Sequence, residues 1–348
     1  MTNKIKNDIF LQALRCNNNN ARPPIWLLRQ AGRYQKEYLL LREKCRNFIG
    51  FCKDPDLTTQ AAMIPIKNYD LDAAILFSDI LTVPDAMGLG LSFKQDVGPI
   101  IKNNISDMKD VNNIDTDSTI EKLNYVATAV KSLKHELAYK IPLIGFCGSP
   151  WTLACYMVAG QGSRDFIPVK KLLWQHPDIL TALLSKITTV SMSYLEMQIN
   201  SGADAVMIFD SWGGILDKNC FKNYSLNYIE AIIKYLRAKN YDIPVIVFTK
   251  GSSMWLDVIA NSGCNAVSID CNISIVDARS ILPKNIAIQG NLDPTALFAS
   301  DEVISSNVLS ILRDSKSDPG FIFNLSHGIN KFTDEKKVKY LVNMIKSF

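Results

Sequence analysis

Short apolar runs recur along this chain, and each stops abruptly at polar or ionisable residues. Ile25–Leu28 stops at Arg29, Leu71–Phe77 at Ser78-Asp79, Ile141–Phe146 at Cys147-Gly148-Ser149, and Ala205–Phe209 at Asp210-Ser211. Ile243–Phe248 stops at Thr249-Lys250-Gly251, Asn265–Ile269 at Asp270, Asn285–Ile288 at Gln289-Gly290-Asn291, and Gly320–Leu325 at Ser326-His327-Gly328. Continuous apolar runs of this length are what strands buried on both faces of a parallel sheet require. Amphipathic stretches between them predict helices, most clearly over 121–138, 178–200, 218–239 and 334–348. Asp54-Pro55 reads as an N-cap with proline at the first helical position, opening a helix toward Ile66. Eight such alternations predict an α/β fold, a (β/α)8 TIM-type barrel forming a single domain over residues 1–348. A doubly wound open sheet is the alternative, weakened because no glycine-rich dinucleotide fingerprint follows the first strand.

Two stretches do not fit a minimal barrel and predict some distortion, with insertions over its mouth. Thr82–Val111 reads as irregular, with Gly88, Gly90 and Gly98-Pro99 as breakers. Pro150–Val169 holds a short apolar helix that Ser149-Pro150 caps, carrying Tyr156. The asparagines at 17–20 read as a loop before the first strand.

If the runs are parallel barrel strands, their last residues share one rim. That rim would hold Arg29, Asp79, Asp210, Ser211, Lys250, Asp270, Asn291 and His327. Stability alone asks for apolar or capping residues there, whereas chemistry asks for this polar set. Arg29 and Arg33, with Gly32 to let a ligand approach the backbone, suit a carboxylate or phosphate. Each residue also has a plainer reading: Asp79 as a helix cap, His327 as a turn histidine, Tyr156 as core, the two arginines as solvated loop. Lys250 is read as a structural ion pair rather than a Schiff-base lysine, since nothing else supports the latter. His135 and His176 read as helix-surface or helix-boundary residues without a role.

A formal charge of +4, with 47% apolar and 21% charged residues, gives no reason to expect nucleic acid or a membrane surface as partner. The amino terminus lacks the apolar core of a secretory signal, and no run approaches the ~18–20 apolar residues of a membrane span. Eight scattered cysteines without a Cys-x-x-Cys pair predict neither disulfides nor a zinc knuckle, and suit a reducing cytoplasm. Three distant histidines show no zinc-ligand spacing, so no metal is expected.

Six segments carry a resemblance. They are Arg29-Gln30-Ala31-Gly32-Arg33-Tyr34, Ile75-Leu76-Phe77-Ser78-Asp79-Ile80-Leu81 and Gly148-Ser149-Pro150-Trp151-Thr152-Leu153, then Phe209-Asp210-Ser211-Trp212-Gly213-Gly214, Gln289-Gly290-Asn291-Leu292-Asp293-Pro294 and Asn324-Leu325-Ser326-His327-Gly328. In this order they resemble the uroporphyrinogen decarboxylase family, over nearly the whole chain. The resemblance implies a homodimeric barrel that uses no metal or organic cofactor. It also implies conversion of the four acetate arms of uroporphyrinogen III to methyls, giving coproporphyrinogen III for haem synthesis. Carried over by motif, the substrate-contacting residues are Arg29, Arg33, Asp79, Tyr156, Ser211 and His327, with Arg42 as a further cleft arginine and Phe146 and Phe209 as apolar walls.

Asp79 is expected to stabilise a protonated pyrrole. Arg29, Tyr156, His327 and a bound water are the groups considered for moving protons, although a guanidinium with a pKa above ~12 matches neutral pH poorly. The sequence departs from the family at Ser326, where glycine is common, at Asn330-Lys331-Phe332, where a proline is common, and at Ile64-Pro65, where glutamine often precedes the proline. Two rivals are kept. A zinc-dependent corrinoid-protein methyltransferase would carry His-x-Cys where this chain reads Phe248-Thr249-Lys250. A non-catalytic tetrapyrrole carrier would need a basic cleft but not Asp79.

Overall fold

The structure, a computed structural model, describes residues 4–20, 22–94, 97–251 and 253–348, so Met1–Asn3 of the amino terminus lie outside it. Its strands are β1 (Ala74–Ile75), β2 (Leu91–Lys94), β3 (Gly98–Ile101), β4 (Leu143–Gly148), β5 (Ala205–Asp210), β6 (Val245–Thr249), β7 (Ala266–Ser268), β8 (Ala287–Leu292) and β9 (Phe321–Leu325). Seven of them form one all-parallel sheet in the order β1-β4-β5-β6-β7-β8-β9. The predicted first strand survives as one parallel bridge, Ile25 to Phe323 of β9. The Phe323 N–H donates to the Pro24 carbonyl at 2.9 Å, and the Asp72 N–H, just before β1, donates to the Ile25 carbonyl at 2.8 Å. Ile25 thus closes the ring between β9 and β1, and the fold is a TIM-like α/β barrel.

The run 25–28 goes no further as a strand because its next N–H groups turn to side chains. The Leu27 N–H donates to Gln30 Oε1 at 3.1 Å and the Leu28 N–H to Asn324 Oδ1 at 2.9 Å. The chain then turns sharply at Arg29, which has φ +57°.

Burial follows the predicted periodicities. β4 is buried at every residue, as a strand covered on both faces must be. The long helix Pro177–Asn200 buries Leu180, Leu183, Leu184, Ile187, Tyr194, Leu195 and Gln198, the three-to-four spacing of one helical stripe. Gln198 also sets the site: its Oε1 accepts from the Phe146 N–H at 2.8 Å and its Nε2 donates to the Phe146 carbonyl at 2.9 Å. A Cβ on Gly145 would lie 2.6 Å from that amide oxygen, so only glycine fits beside it.

Asp54 caps the helix Pro55–Asn68, accepting from the Asp56 and Leu57 N–H groups at 3.0 Å each. Pro65 is accommodated inside this helix. The stretch predicted as irregular, 82–111, contains an antiparallel hairpin, β2 with β3, tied by an Ile100–Gln161 bridge to the loop after the helix Pro150–Ala159. Gly98, read as a breaker, opens β3 at φ +96°, and Pro99 follows it at the start of this short two-stranded ribbon.

At the opposite end of the barrel, a fully buried Asp72 ties the first and last parts of the chain together. Its carboxylate accepts from Arg22 Nη1 at 2.7 Å, Arg22 Nη2 at 3.0 Å, Lys346 Nζ at 2.8 Å, Asn7 Nδ2 at 2.8 Å and the Ile25 N–H at 2.8 Å. Burial pushes its pKa up, but the Arg22 and Lys346 bonds outweigh this and hold it below the usual range. Asp72→Ala strands Arg22, leaves Lys346 only its longer pair with Asp70 at 3.2 Å, and releases the Ile25 closure. It is expected to cost about 3–5 kcal/mol of unfolding free energy, measured by urea denaturation.

Candidate active site

The carboxyl edge of the parallel strands gathers most of the residues expected there, and it sorts them into two groups. Three members of the predicted rim hold the structure together. Asp210, fully buried at the end of β5, accepts from Ser149 Oγ at 2.7 Å, Thr152 Oγ1 at 2.9 Å and Ser225 Oγ at 2.7 Å. Burial raises its pKa, opposed by those hydroxyls. Asp270 accepts from the Gly251 N–H at 2.8 Å, the Asn272 N–H at 2.9 Å and Ser253 Oγ at 2.5 Å. Asn291 donates to the carbonyls of Asp270 and Ile273 at 2.9 and 2.7 Å. All three fix the loops that present the other group.

Asp79, four residues past β1, is half-buried. One carboxylate oxygen accepts from the Leu81 N–H at 2.8 Å, and the Asp79 carbonyl accepts from Thr82 Oγ1 at 2.7 Å. The capping reading is therefore met by Oδ1 alone, and Oδ2 has no hydrogen-bond partner among the described residues. Burial raises the Asp79 pKa, while the Leu81 N–H and the Arg29 charge pull it down. Oδ2 is thus free of protein partners and open to a ligand that offers N–H donors.

Arg29 lies within electrostatic reach of Asp79, Tyr156 and His327. Its left-handed backbone costs on the order of 1 kcal/mol for a non-glycine residue. The loop that bears it is held by Gln30 Nε2 on the Ala73 carbonyl at 3.3 Å, Tyr34 OH on the Gln30 carbonyl at 2.7 Å and the Gly32 N–H on Gln35 Oε1 at 3.2 Å. Gly32 itself needs no special conformation: a Cβ there would meet nothing nearer than 3.5 Å. The tight glycine is Gly328, where a Cβ would sit 2.3 Å from Arg29 Cδ and 2.5 Å from its Cγ. Gly328 makes room for the arginine stem beside His327.

Arg33 is exposed and makes no hydrogen bond to protein among the described residues. Its charge is felt at Tyr38, which packs on Phe77, two residues before Asp79. Arg42 is half-buried: its guanidinium lies 5.6 Å from the ring centroids of both Phe48 and Phe51 and donates to the Cys45 carbonyl at 3.0 Å. Burial raises the Cys52 thiol pKa, and the charges of both Asp79 and Arg42 are felt there. Ser211, directly after β5, is half-buried with no hydroxyl partner among the described residues.

Tyr156 packs edge-on against Phe166 at 5.5 Å and Trp212 at 6.4 Å between centroids. The core reading of Tyr156 therefore holds in part, although the ring keeps partial exposure. Burial raises its phenol pKa. Phe146, Phe209, Phe248 and His327 form an edge-to-face series, with successive centroids 5.5, 5.9 and 6.2 Å apart. An apolar wall with one imidazole on it results. His135 and His176 are exposed on helix ends, away from these residues.

Burial, then the charges of Arg29 and Lys250, lower the His327 pKa from 6.5 to about 4. His327 is therefore neutral at pH 7 and holds no ready acidic proton. Between pH 6.5 and about 4 the unfolded chain takes up a proton that the native site refuses, so this group makes the fold lose stability as pH falls through that window. Its ring resonances are expected to titrate near pH 4 by NMR; a midpoint near 6.5 would contradict the enclosure described here.

Lys250 corrects the sequence reading. It makes no ion pair among the described residues; its ammonium lies 5.9 Å from the Trp212 ring centroid. Trp212 and Gly328 were not singled out as site residues, although both stand inside the motifs quoted above.

The family model described as uroporphyrinogen decarboxylase (URO-D) matches residues 5–348. The chain belongs to this family. A relative named uroporphyrinogen decarboxylase from Coxiella burnetii is 45% identical over 347 residues, covering 99% of this chain and 96% of the relative. One of the same name from Dechloromonas aromatica is 45% identical over 345 residues, covering 98% and 97%. Among solved structures, a methyltransferase from Methanosarcina mazei superposes with a TM-score of 0.82 over 98% of each chain at 17% identity, a likeness of fold. Among the described residues no helix is long and apolar enough to cross a membrane.

Proposed function

We propose that this decarboxylase removes the carboxyl groups of the four acetate arms of uroporphyrinogen III, giving coproporphyrinogen III. Each step breaks one C–C bond, releases carbon dioxide and leaves an electron pair that needs a sink. The macrocycle supplies it: protonating a pyrrole carbon makes an iminium-like ring that accepts the pair, a second protonation turns the exocyclic methylene into a methyl, and loss of the first proton from the ring carbon restores the pyrrole, so each arm takes up one proton net.

The observation that carries this reading is the carboxylate of Asp79 at the strand edge, whose Oδ2 has no protein partner among the described residues, with the Arg29 charge close by. Pyrrole N–H groups would complete its coordination, and its charge would oppose the positive charge that develops on the ring. Because that charge grows on the way to the transition state, the gain falls on kcat. Arg29, Arg33 and Arg42 would hold carboxylate arms, with Ser211 as a hydroxyl donor. The Phe146–Phe209–Phe248 wall would exclude water from the reacting arm.

His327, neutral at pH 7, would gain proton affinity when substrate carboxylates offset Arg29 and Lys250. Tyr156 and a bound water complete the set of groups able to move protons. On the same reading the chain forms one domain, pairs as a homodimer and works in the cytoplasm.

Anaerobic incubation with uroporphyrinogen III, followed by oxidation and counting of the carboxyl groups on the product, tests this. A tetracarboxylic product supports it; an unchanged octacarboxylic one would refute it.

A further inference from the structure

Lys250, directly after β6, makes no ion pair among the described residues. The carboxylates at the ends of the two strands that flank β6 are occupied. Asp270 spends its oxygens on the Gly251 and Asn272 N–H groups and on Ser253 Oγ, and Asp210 spends its own on three hydroxyls. The lysine backbone is nevertheless fixed. Its N–H donates to the Asp210 carbonyl at 3.3 Å, and its carbonyl is packed so closely on Gly214 that a Cβ there would lie 2.2 Å away. Gly251 follows at φ +78°, anchored on Asp270.

From this mount the ammonium lies over the ring of Trp212, the residue after Ser211, and its charge reaches His327. A solvated surface lysine requires no such anchoring. Around the barrel Lys250 stands across from Arg29, with β1, β4 and β5 between the Ile25 bridge and β6. Arg29, Arg33 and Arg42 all come from the chain between the Ile25 bridge and β1. A macrocycle bearing carboxylates on every pyrrole would leave its far arms without a counter-charge if these arginines acted alone.

We propose that Lys250 binds a carboxylate arm of the substrate on the side of the barrel mouth away from the arginines, orienting the macrocycle over Asp79. This assignment rests on the decarboxylase reading above. Its cation stays at the rim, so the contact forms in ground and transition states alike and belongs to binding more than to chemistry.

The test compares wild type, Lys250→Met and Lys250→Arg by initial rates of anaerobic uroporphyrinogen turnover at two salt concentrations. Lys250→Met is expected to raise KM about tenfold with kcat within about threefold. It should also flatten the salt dependence of kcat/KM, and Lys250→Arg should restore most of the loss. A KM for Lys250→Met equal to that of the wild type, or a collapse of kcat at unchanged KM, would overturn the assignment while leaving the decarboxylase reading intact. Absence of carbon dioxide release from the wild type would overturn that reading and this anchor with it. Circular dichroism and melting temperature report folding, which an unpaired exposed lysine should not alter.

Discussion

Asp79→Asn is expected to lower kcat about a thousandfold while KM stays within a few-fold of the wild type. The amide is isosteric and can still accept the Leu81 N–H at Oδ1, so the start of the following turn is preserved. The negative charge that opposes the developing iminium is lost, and the second position becomes a donor facing pyrrole donors. Removing one preorganised electrostatic partner of a transition state costs roughly 10²–10³ in kcat in comparable sites. A like charge-for-amide swap at a mere cap would cost a few tenths of a kcal/mol to about 1 kcal/mol of stability and leave turnover alone. Steady-state kinetics therefore separate the two readings: equal losses in binding and turnover would refute the electrostatic role.

Gly328→Ala is expected to reproduce most of the effect of deleting the Arg29 side chain without removing any charge. A methyl at 328 would lie 2.3–2.8 Å from the Cδ, Cγ and Nε atoms of Arg29, closer than any real contact. Arg29 is already committed to a left-handed backbone by the Gln30 and Gln35 bonds, so its stem has to swing away rather than its loop. Misplacing a substrate-positioning group by about 1 Å can cost on the order of a hundredfold. We expect kcat/KM to fall by about that factor, with melting temperature little changed. Arg29→Ala should fall at least as far, and the double variant no further than Arg29→Ala alone. Additive losses would mean that Gly328 acts elsewhere.

The barrel was legible because seven runs are apolar enough to be buried on both faces, and their ends carry polar residues that stability does not call for. What pattern could not carry was competition for hydrogen bonds. Ile25–Leu28 looks like the other strands, yet it contributes one bridge because Gln30 and Asn324 capture the N–H groups that a ladder would use. The hairpin β2–β3 hid in 82–111 because its strands are short and its glycines dense, so turn residues outweighed four residues of alternation.

At the site, Arg29, Asp79, Ser211 and His327 were visible as strand-end residues, and Tyr156 by motif. Asp210, Asp270 and Asn291 were visible by the same rule but serve the scaffold. A strand end identifies a rim residue without saying which way its bonds run. The isolation of Lys250 was invisible for the same reason: whether a lysine is paired depends on what its neighbouring carboxylates already hold.

The most direct measurement of the central claim is the position of Asp79 in a crystal structure of the protein with coproporphyrinogen bound. The account predicts Asp79 Oδ2 about 2.7–3.2 Å from at least two pyrrole nitrogens, with the acid arms turned toward Arg29 and its neighbours. A macrocycle bound elsewhere on the strand edge, with Oδ2 still facing solvent, would contradict it.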